Sequence, residues 1–233
     1  MALLLQVVNS FKHAEQVINT VSLKTDRVIL FYSAGKDSIV LLDLLAKKFK
    51  TVECVFMYFV KDLEHISKYI KWSQTNYPNA RFIQIPHYGL SQIYKNGIYC
   101  TPNKNIKRKT TLSDVDEAVR IKFNCGYTLY GWKKADGLNR MMALRSYELE
   151  AISKTNKVYP LSNWSKADVL GYIKRNRLPQ PIAYGGKRSN GVGFNLECYL
   201  YLREHYPNDL KKILKEFPLS ERILYEYDNK ISN

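Results

Sequence analysis

The sequence predicts an α/β protein: a doubly wound, mainly parallel sheet with a C-terminal helical extension. Three observations predict it. Strand-length runs rich in β-branched and aromatic residues, at 28–32, 52–60 and 81–86, alternate with helix-length runs at 39–49 and 62–76. A short Gly-containing turn, 33–38, joins the first strand directly to a helix. Residues 195–217 and 219–228 carry helical spacing and no strand pattern.

The elements follow in order. Residues 3–22 carry Leu4, Val7, Val8, Phe11, Val17, Ile18 and Val21 on one broad helical face. The first strand is Val28-Ile29-Leu30-Phe31-Tyr32. Ile39 to Leu45 is apolar enough for a buried helix. The second strand, 52–60, is almost continuously apolar, as parallel strands covered on both faces are, and Cys54 within it reads as core. A helix over 62–76 ends at Tyr77-Pro78-Asn79, and 81–86 is the third strand. The pattern then breaks into a long loop over 88–110, placed at the carboxyl edge of the sheet where such folds bind ligands. A helix with Ser113 as its cap runs to about Asn124, 126–131 is a fourth strand, and 138–152 is helical. A short extended piece at 158–161 precedes a capping-box start at Ser165-Lys166-Ala167-Asp168. Leu178-Pro179-Gln180-Pro181 is a rigid connector, 183–193 a glycine-punctuated loop, and helical spacing over 195–217 breaks at Pro207. A last helix covers 219–228. We divide the chain into an α/β domain, 1–180, and a loop plus helical extension packed on it, 181–233.

The 233 residues hold 36 Lys and Arg against 21 Asp and Glu, a net charge of +15 that favours an anionic partner. Cys54, Cys100, Cys125 and Cys198 are too scattered for a metal knuckle and suit a reducing cytoplasm. The N-terminal apolar stretch lacks a basic start and turns polar at Asn9-Ser10, so neither a secretory leader nor a membrane span is expected.

The turn Ser33-Ala34-Gly35-Lys36-Asp37-Ser38 carries the chemistry. A strand, a tight turn and a helix start present free backbone N–H groups to phosphate, and the helix dipole favours the anion. Gly35 allows close approach or positive φ. Ser33 and Ser38 bring hydroxyls, Lys36 a mobile charge, and Asp37 either a helix cap or a contact to phosphate-bound magnesium. The spacing fits neither a Walker loop nor a dinucleotide fingerprint. It resembles the Ser-x-Gly-x-Asp-Ser loop of the PP-loop ATP pyrophosphatases, the Rossmann-like adenine nucleotide alpha-hydrolase superfamily. With Lys36, it looks most like the phosphoadenosine phosphosulfate (PAPS) reductase branch.

A second match is Tyr159-Pro160-Leu161, Trp164, Asp168-Val169, Tyr172-Ile173, Leu178-Pro179 and Tyr184, which resembles a packing motif of that family. Between the two, Gly131 and Arg140 match the family pattern Gly-x-Arg-x-x-Glu-Ser-x-x-Arg. Lys133, Asp136 and Gly137 depart from it, and Lys lacks the bidentate fork of Arg. The late Glu-Cys-Gly-x-His element of the sulfonucleotide reductases is echoed only by Glu197-Cys198, so Cys198 reads as a structural residue. Val192 and Asn195 stand where some relatives carry cluster cysteines, and Cys100-Thr101 has no adjacent second cysteine, so no iron–sulfur cluster is expected.

The resemblance implies an enzyme that binds ATP or a related adenylyl nucleotide with Mg2+ and cleaves between the α and β phosphates, with adenylation of, or sulfur transfer to, an acceptor. Ser33, Ala34, Gly35, Lys36, Asp37, Ser38, Tyr58, Gly131, Lys133 and Arg140 are the nucleotide-binding candidates, with Lys36 and Asp37 catalytic. Lys104, Lys107, Arg108 and Lys109, four positive residues in six, are candidate contacts to a nucleic acid or another anionic acceptor. Two alternatives stand: a thiol-dependent PAPS reductase, and a non-catalytic nucleotide- or nucleic-acid-binding protein.

Overall fold

The computed structural model describes residues 2–182, 184 and 193–231. Five parallel strands form one sheet in the order β3-β2-β1-β4-β5. The chain runs α1 (Ala2–Ser22), β1 (Arg27–Phe31), α2 (Lys36–Ala46), β2 (Thr51–Tyr58), α3 (Glu64–Asn76) and β3 (Ala80–Pro86). It continues through α4 (Leu90–Asn96), α5 (Leu112–Phe123), β4 (Thr128–Leu129), α6 (Leu138–Arg145), β5 (Lys157–Val158) and α7 (Lys166–Arg175). Three helices end it: α8 (Leu196–His205), α9 (Pro207–Glu216) and α10 (Arg222–Ile231). Among the described residues no helix is long and apolar enough to cross a membrane.

The strand alternation sorts the core into two layers. Val28 and Leu30 of β1, with Val52 and Cys54 of β2, pack on α1, α2, α7 and α8. Ile29, Phe31 and Val55 face the other way, against Val115 and Val119 of α5 and Leu144 of α6. β1 is central, and strand order turns back between β1 and β4, so the crevice beyond their carboxyl ends is the topological switch point.

Several boundaries differ from the sequence reading. The long loop holds a helix, α4, closed by Gly97 at φ +66, where a Cβ would lie 2.4 Å from Pro102 Cγ. Thr111, not Ser113, caps α5, in a capping box with Asp114. β4 is two residues long, and α6 stops at Arg145 before a tight bridge between Glu148 and Ile152. The loop expected over 183–193 lies outside the described residues apart from Tyr184 and Gly193.

Trp164 is buried, its Nε1–H donating to Ser10 O at 3.0 Å, and it joins α1 to α7 through Phe11 and Tyr172. Asp168 closes the α7 capping box with Ser165. Trp164→Ala should therefore cost about 3–5 kcal/mol of stability in chemical denaturation. A loss near zero would mean that α1 is not held through this ring.

Candidate functional site

β1 stops at Phe31, and the six residues that follow Tyr32 wrap into the start of α2. Ser38 Oγ organises them: it accepts from Ser33 N at 3.1 Å, donates to Gly35 O at 2.9 Å and lies 3.2 Å from Ser33 Oγ. Ala34, not Gly35, takes the left-handed conformation, at φ +56; Gly35 is extended at φ −84 and is the N-cap. A non-glycine residue held there is strained, and such strain collects at ligand sites. Gly35 brings no capping side chain, so the first turn of α2 keeps N–H donors for an anion. Asp37 does not cap the helix either. It lies inside the first turn, and its carboxylate is taken by two lysines.

Lys36 Nζ sits 2.7 Å from Asp37 Oδ2, and Lys133 Nζ 2.7 Å from Asp37 Oδ1. Lys133 arrives from beyond β4, across the switch point, and only 2% of it is exposed. An ammonium so deeply buried needs paired carboxylates, and Asp136 Oδ1 at 3.1 Å is its second partner. Burial alone would raise the Asp136 carboxyl, but the side chain and backbone N–H of Lys133, with Arg140, outweigh it and hold the group below its ordinary value. Arg140 Nη1 is 2.9 Å from Asp136 Oδ2, and its guanidinium lies 4.6 Å over the Trp132 ring. Arg140 thus sits behind Asp136, while Lys133 reaches the loop itself.

Gly131 makes this approach possible. A Cβ there would meet Asp37 Cβ at 2.9 Å, with Asp37 C and Ser38 N at 3.5 and 3.6 Å. Among the described residues, cavities adjoin the loop on two sides. One, of about 200 Å³ and largely apolar, lies at the carboxyl ends of β1, β2 and β3, where Tyr58, Phe59, Ile66 and His87 line it together with Ser33. The other, of about 130 Å³, lies between residues 33–37 and the connector at Pro181 and Ile182. His87 is held neutral by burial, and its Nδ1 accepts from Gly89 N at 3.0 Å, which leaves the proton on Nε2.

The structure brings the 33–38 loop, Gly131 and Lys133 together, with Tyr58 in the adjoining apolar cavity. Lys104, Lys107, Arg108 and Lys109 are exposed, and Arg108 is spent on Asp114 at the start of α5. Lys107 also serves through its carbonyl, which accepts from Lys95 at 2.6 Å. Cys198 is fully buried in α8, and burial pushes its thiol up, away from the thiolate that a nucleophile needs. His87, Ile66 and the connector residues are not legible as site residues along the chain, because no local motif marks them.

Residues 27–186 match the model of the phosphoadenosine phosphosulfate reductase domain family. Three solved structures share the fold at 15–16% identity. Phosphoadenylyl-sulfate reductase from Candida auris, in a phosphate complex, aligns over 72% of this chain and 81% of its own at a TM-score of 0.50 and 16% identity. The U34-tRNA thiolase NcsA from Methanococcus maripaludis, with its [4Fe-4S] cluster, aligns over 94% and 80% at 0.52 and 16%. FMN adenylyltransferase from Candida glabrata, bound to FMN and AMPCPP, aligns over 80% and 64% at 0.53 and 15%. No curated protein matches the chain.

Gly131→Ala should lower stability by about 1–3 kcal/mol, because its Cβ strikes backbone-anchored atoms of the loop that cannot swing aside. A thermal melt unchanged by the substitution would show that β4 and the loop are not in this close contact.

Proposed function

Because the chain belongs to the phosphoadenosine phosphosulfate reductase domain family, we propose that it binds ATP or a related adenylyl nucleotide at the 33–38 loop and cleaves it between the α and β phosphates. One observation carries the reading: two ammonium groups, Lys36 and Lys133, converge from opposite sides of the switch point beside an uncapped helix N-terminus. That arrangement suits a phosphate chain, whose charge grows on the leaving pyrophosphate. An acceptor's nucleophilic atom attacks the α-phosphorus, the bond to the bridging oxygen breaks, and pyrophosphate leaves with the electron pair. The chain's contribution is positioning and charge neutralisation. Ser33, Ser38 and the first-turn N–H groups of α2 hold phosphate oxygens. Lys36 and Lys133 exchange Asp37 for them in part, and Asp37 keeps both lysines aimed at the mouth.

The larger apolar cavity, with Tyr58 and Phe59, suits the base. Both oxygens of Asp37 are occupied by lysines, so this carboxylate does not fit as a magnesium ligand as it stands. Magnesium enters, in this reading, on the phosphates of the nucleotide. A thiol-dependent reduction through Cys198 is disfavoured by the burial of that thiol. The acceptor is adenylated, and where sulfur is transferred a separate nucleophilic sulfur donor then displaces AMP; the exposed Lys104, Lys107 and Lys109 recommend an anionic acceptor, such as a nucleic acid.

Lys36→Ala and Lys133→Ala should each weaken ATP binding roughly 10- to 100-fold in calorimetry, the scale of one missing charge-assisted hydrogen bond. Wild type that neither binds ATP nor releases pyrophosphate from it would sink the proposal. For the acceptor, RNA and DNA affinity should fall with salt on a log–log plot. Replacing Lys104, Lys107, Arg108 and Lys109 with alanine should flatten the slope by roughly 0.7–0.9 for each phosphate that is no longer neutralised. Equal slopes would return the segment to an ordinary solvated face.

A further inference from the structure

The smaller cavity beside the phosphate loop has a second wall, and buried groups without a part in the reading above hold it. Tyr184 lines this cavity with Pro181 and Ile182, and with Ile66 and Tyr69 of α3. Its hydroxyl is 3.0 Å from His65 Nε2, and His65 Nδ1 is 2.7 Å from Asp209 Oδ2. His65 is 0% exposed, Asp209 1% and Tyr184 6%. Three separate parts of the chain therefore meet in one line: α3, α9 and the segment after the connector.

The direction of each hydrogen bond is fixed. Asp209 also accepts the backbone N–H groups of Glu64 and His65, at 2.8 and 2.9 Å. Burial alone would raise its carboxyl, but these donors and the His65 ring outweigh it and keep the group ionised. An ionised carboxylate only accepts, so Nδ1 donates to it. Burial holds the imidazole neutral against the pull of Asp209. Nε2 then carries a lone pair, and the Tyr184 hydroxyl donates to it. Two further observations point to a restraint. Tyr184 has φ +46, a left-handed conformation that a bulky residue keeps only when its surroundings impose it. The connector before it is pinned as well, the Tyr69 hydroxyl donating to Gln180 O at 2.6 Å.

We propose that His65 and Asp209 are positioning residues of the nucleotide site, holding Tyr184 as the wall of the cleft that takes the phosphate chain. The inference rests on the reading of the 33–38 loop as a phosphate site. It adds a selective signature, because Tyr184 lines the cavity at the loop and not the apolar one assigned to the base. The phosphates sense the relay, and the base does not.

Calorimetry with ATP, pyrophosphate and adenosine as separate probes tests it on wild type, Tyr184→Phe, His65→Leu and His65→Gln. Tyr184→Phe keeps the ring and removes only the bond, so its fold is retained, and a thermal melt checks each variant. Tyr184→Phe and His65→Leu should weaken pyrophosphate and ATP roughly 5- to 10-fold, the scale of one buried hydrogen bond, with adenosine unchanged. His65→Gln, which again offers the hydroxyl an acceptor, should recover most of the loss. Equal weakening of adenosine and pyrophosphate, or no weakening in Tyr184→Phe, overturns the relay while ATP binding by wild type leaves the nucleotide reading standing. Wild type that binds neither ATP nor pyrophosphate overturns both.

Discussion

The ion pair between Lys133 and Asp37 holds the two halves of the site together. It closes the gap between the segment after β1 and the segment after β4, the two strands that flank the switch point. Lys133 is almost wholly buried, and a buried ammonium is tolerated only where carboxylates meet it with good geometry. Asp37 and Asp136 meet it from either side. Arg140 then balances Asp136, so the charges alternate outward from the loop to the Trp132 ring. The backbone at Gly131 must lie against Asp37 for Lys133 to reach, and a side chain there would forbid it. A long-range ion pair and a missing Cβ are thus two parts of one constraint.

The lysine at 133 also bears on what the site selects. The family pattern has Arg here, a rigid fork that grips an oxyanion with two parallel hydrogen bonds. A lysine offers a point charge and is here committed to two carboxylates. Where the family pattern has a fork, this chain has one ammonium shared between Asp37 and Asp136. Cys198 completes the contrast, since it packs into the core where a reductase needs an accessible thiolate.

The C-terminal helices are more than an appendage to the sheet. Asp209 of α9 accepts from the first backbone N–H groups of α3 and orients His65. α8 contributes Cys198, Tyr199 and Leu202 to the core that also holds β1 and α2. The apolar cavity at the strand ends and the cleft at the loop share Ser33 and Ile66, and Tyr184 in the wall of the cleft is tied through His65 to Asp209, residues remote in sequence.

The strands, the phosphate loop and the α7 capping box are legible along the chain, because each rests on residues close in sequence. Apolar, β-branched runs set β1 to β3. Ser33, Gly35 and Ser38 set the loop, and Ser165 with Asp168 set the helix start. Lys133 and Gly131 are legible too, though only by resemblance to a spaced pattern. What these residues touch is a matter of the folded chain. Asp37 reads locally as a cap or metal contact, but it pairs with two lysines, one of them 96 positions away. The family pattern puts Arg140 at the nucleotide, and in the folded chain its guanidinium pairs with Asp136 and lies over the Trp132 ring. Ala34 takes the backbone conformation expected of Gly35. The helix α4 is hidden because its seven residues, bounded by Gly89 and Gly97, are too few for a periodic signal. His65, Asp209 and Tyr184 lie in three unrelated stretches with no motif among them. Periodicity and capping are local properties and can be read along the chain, whereas the partner of a buried charge is chosen by which strands become neighbours.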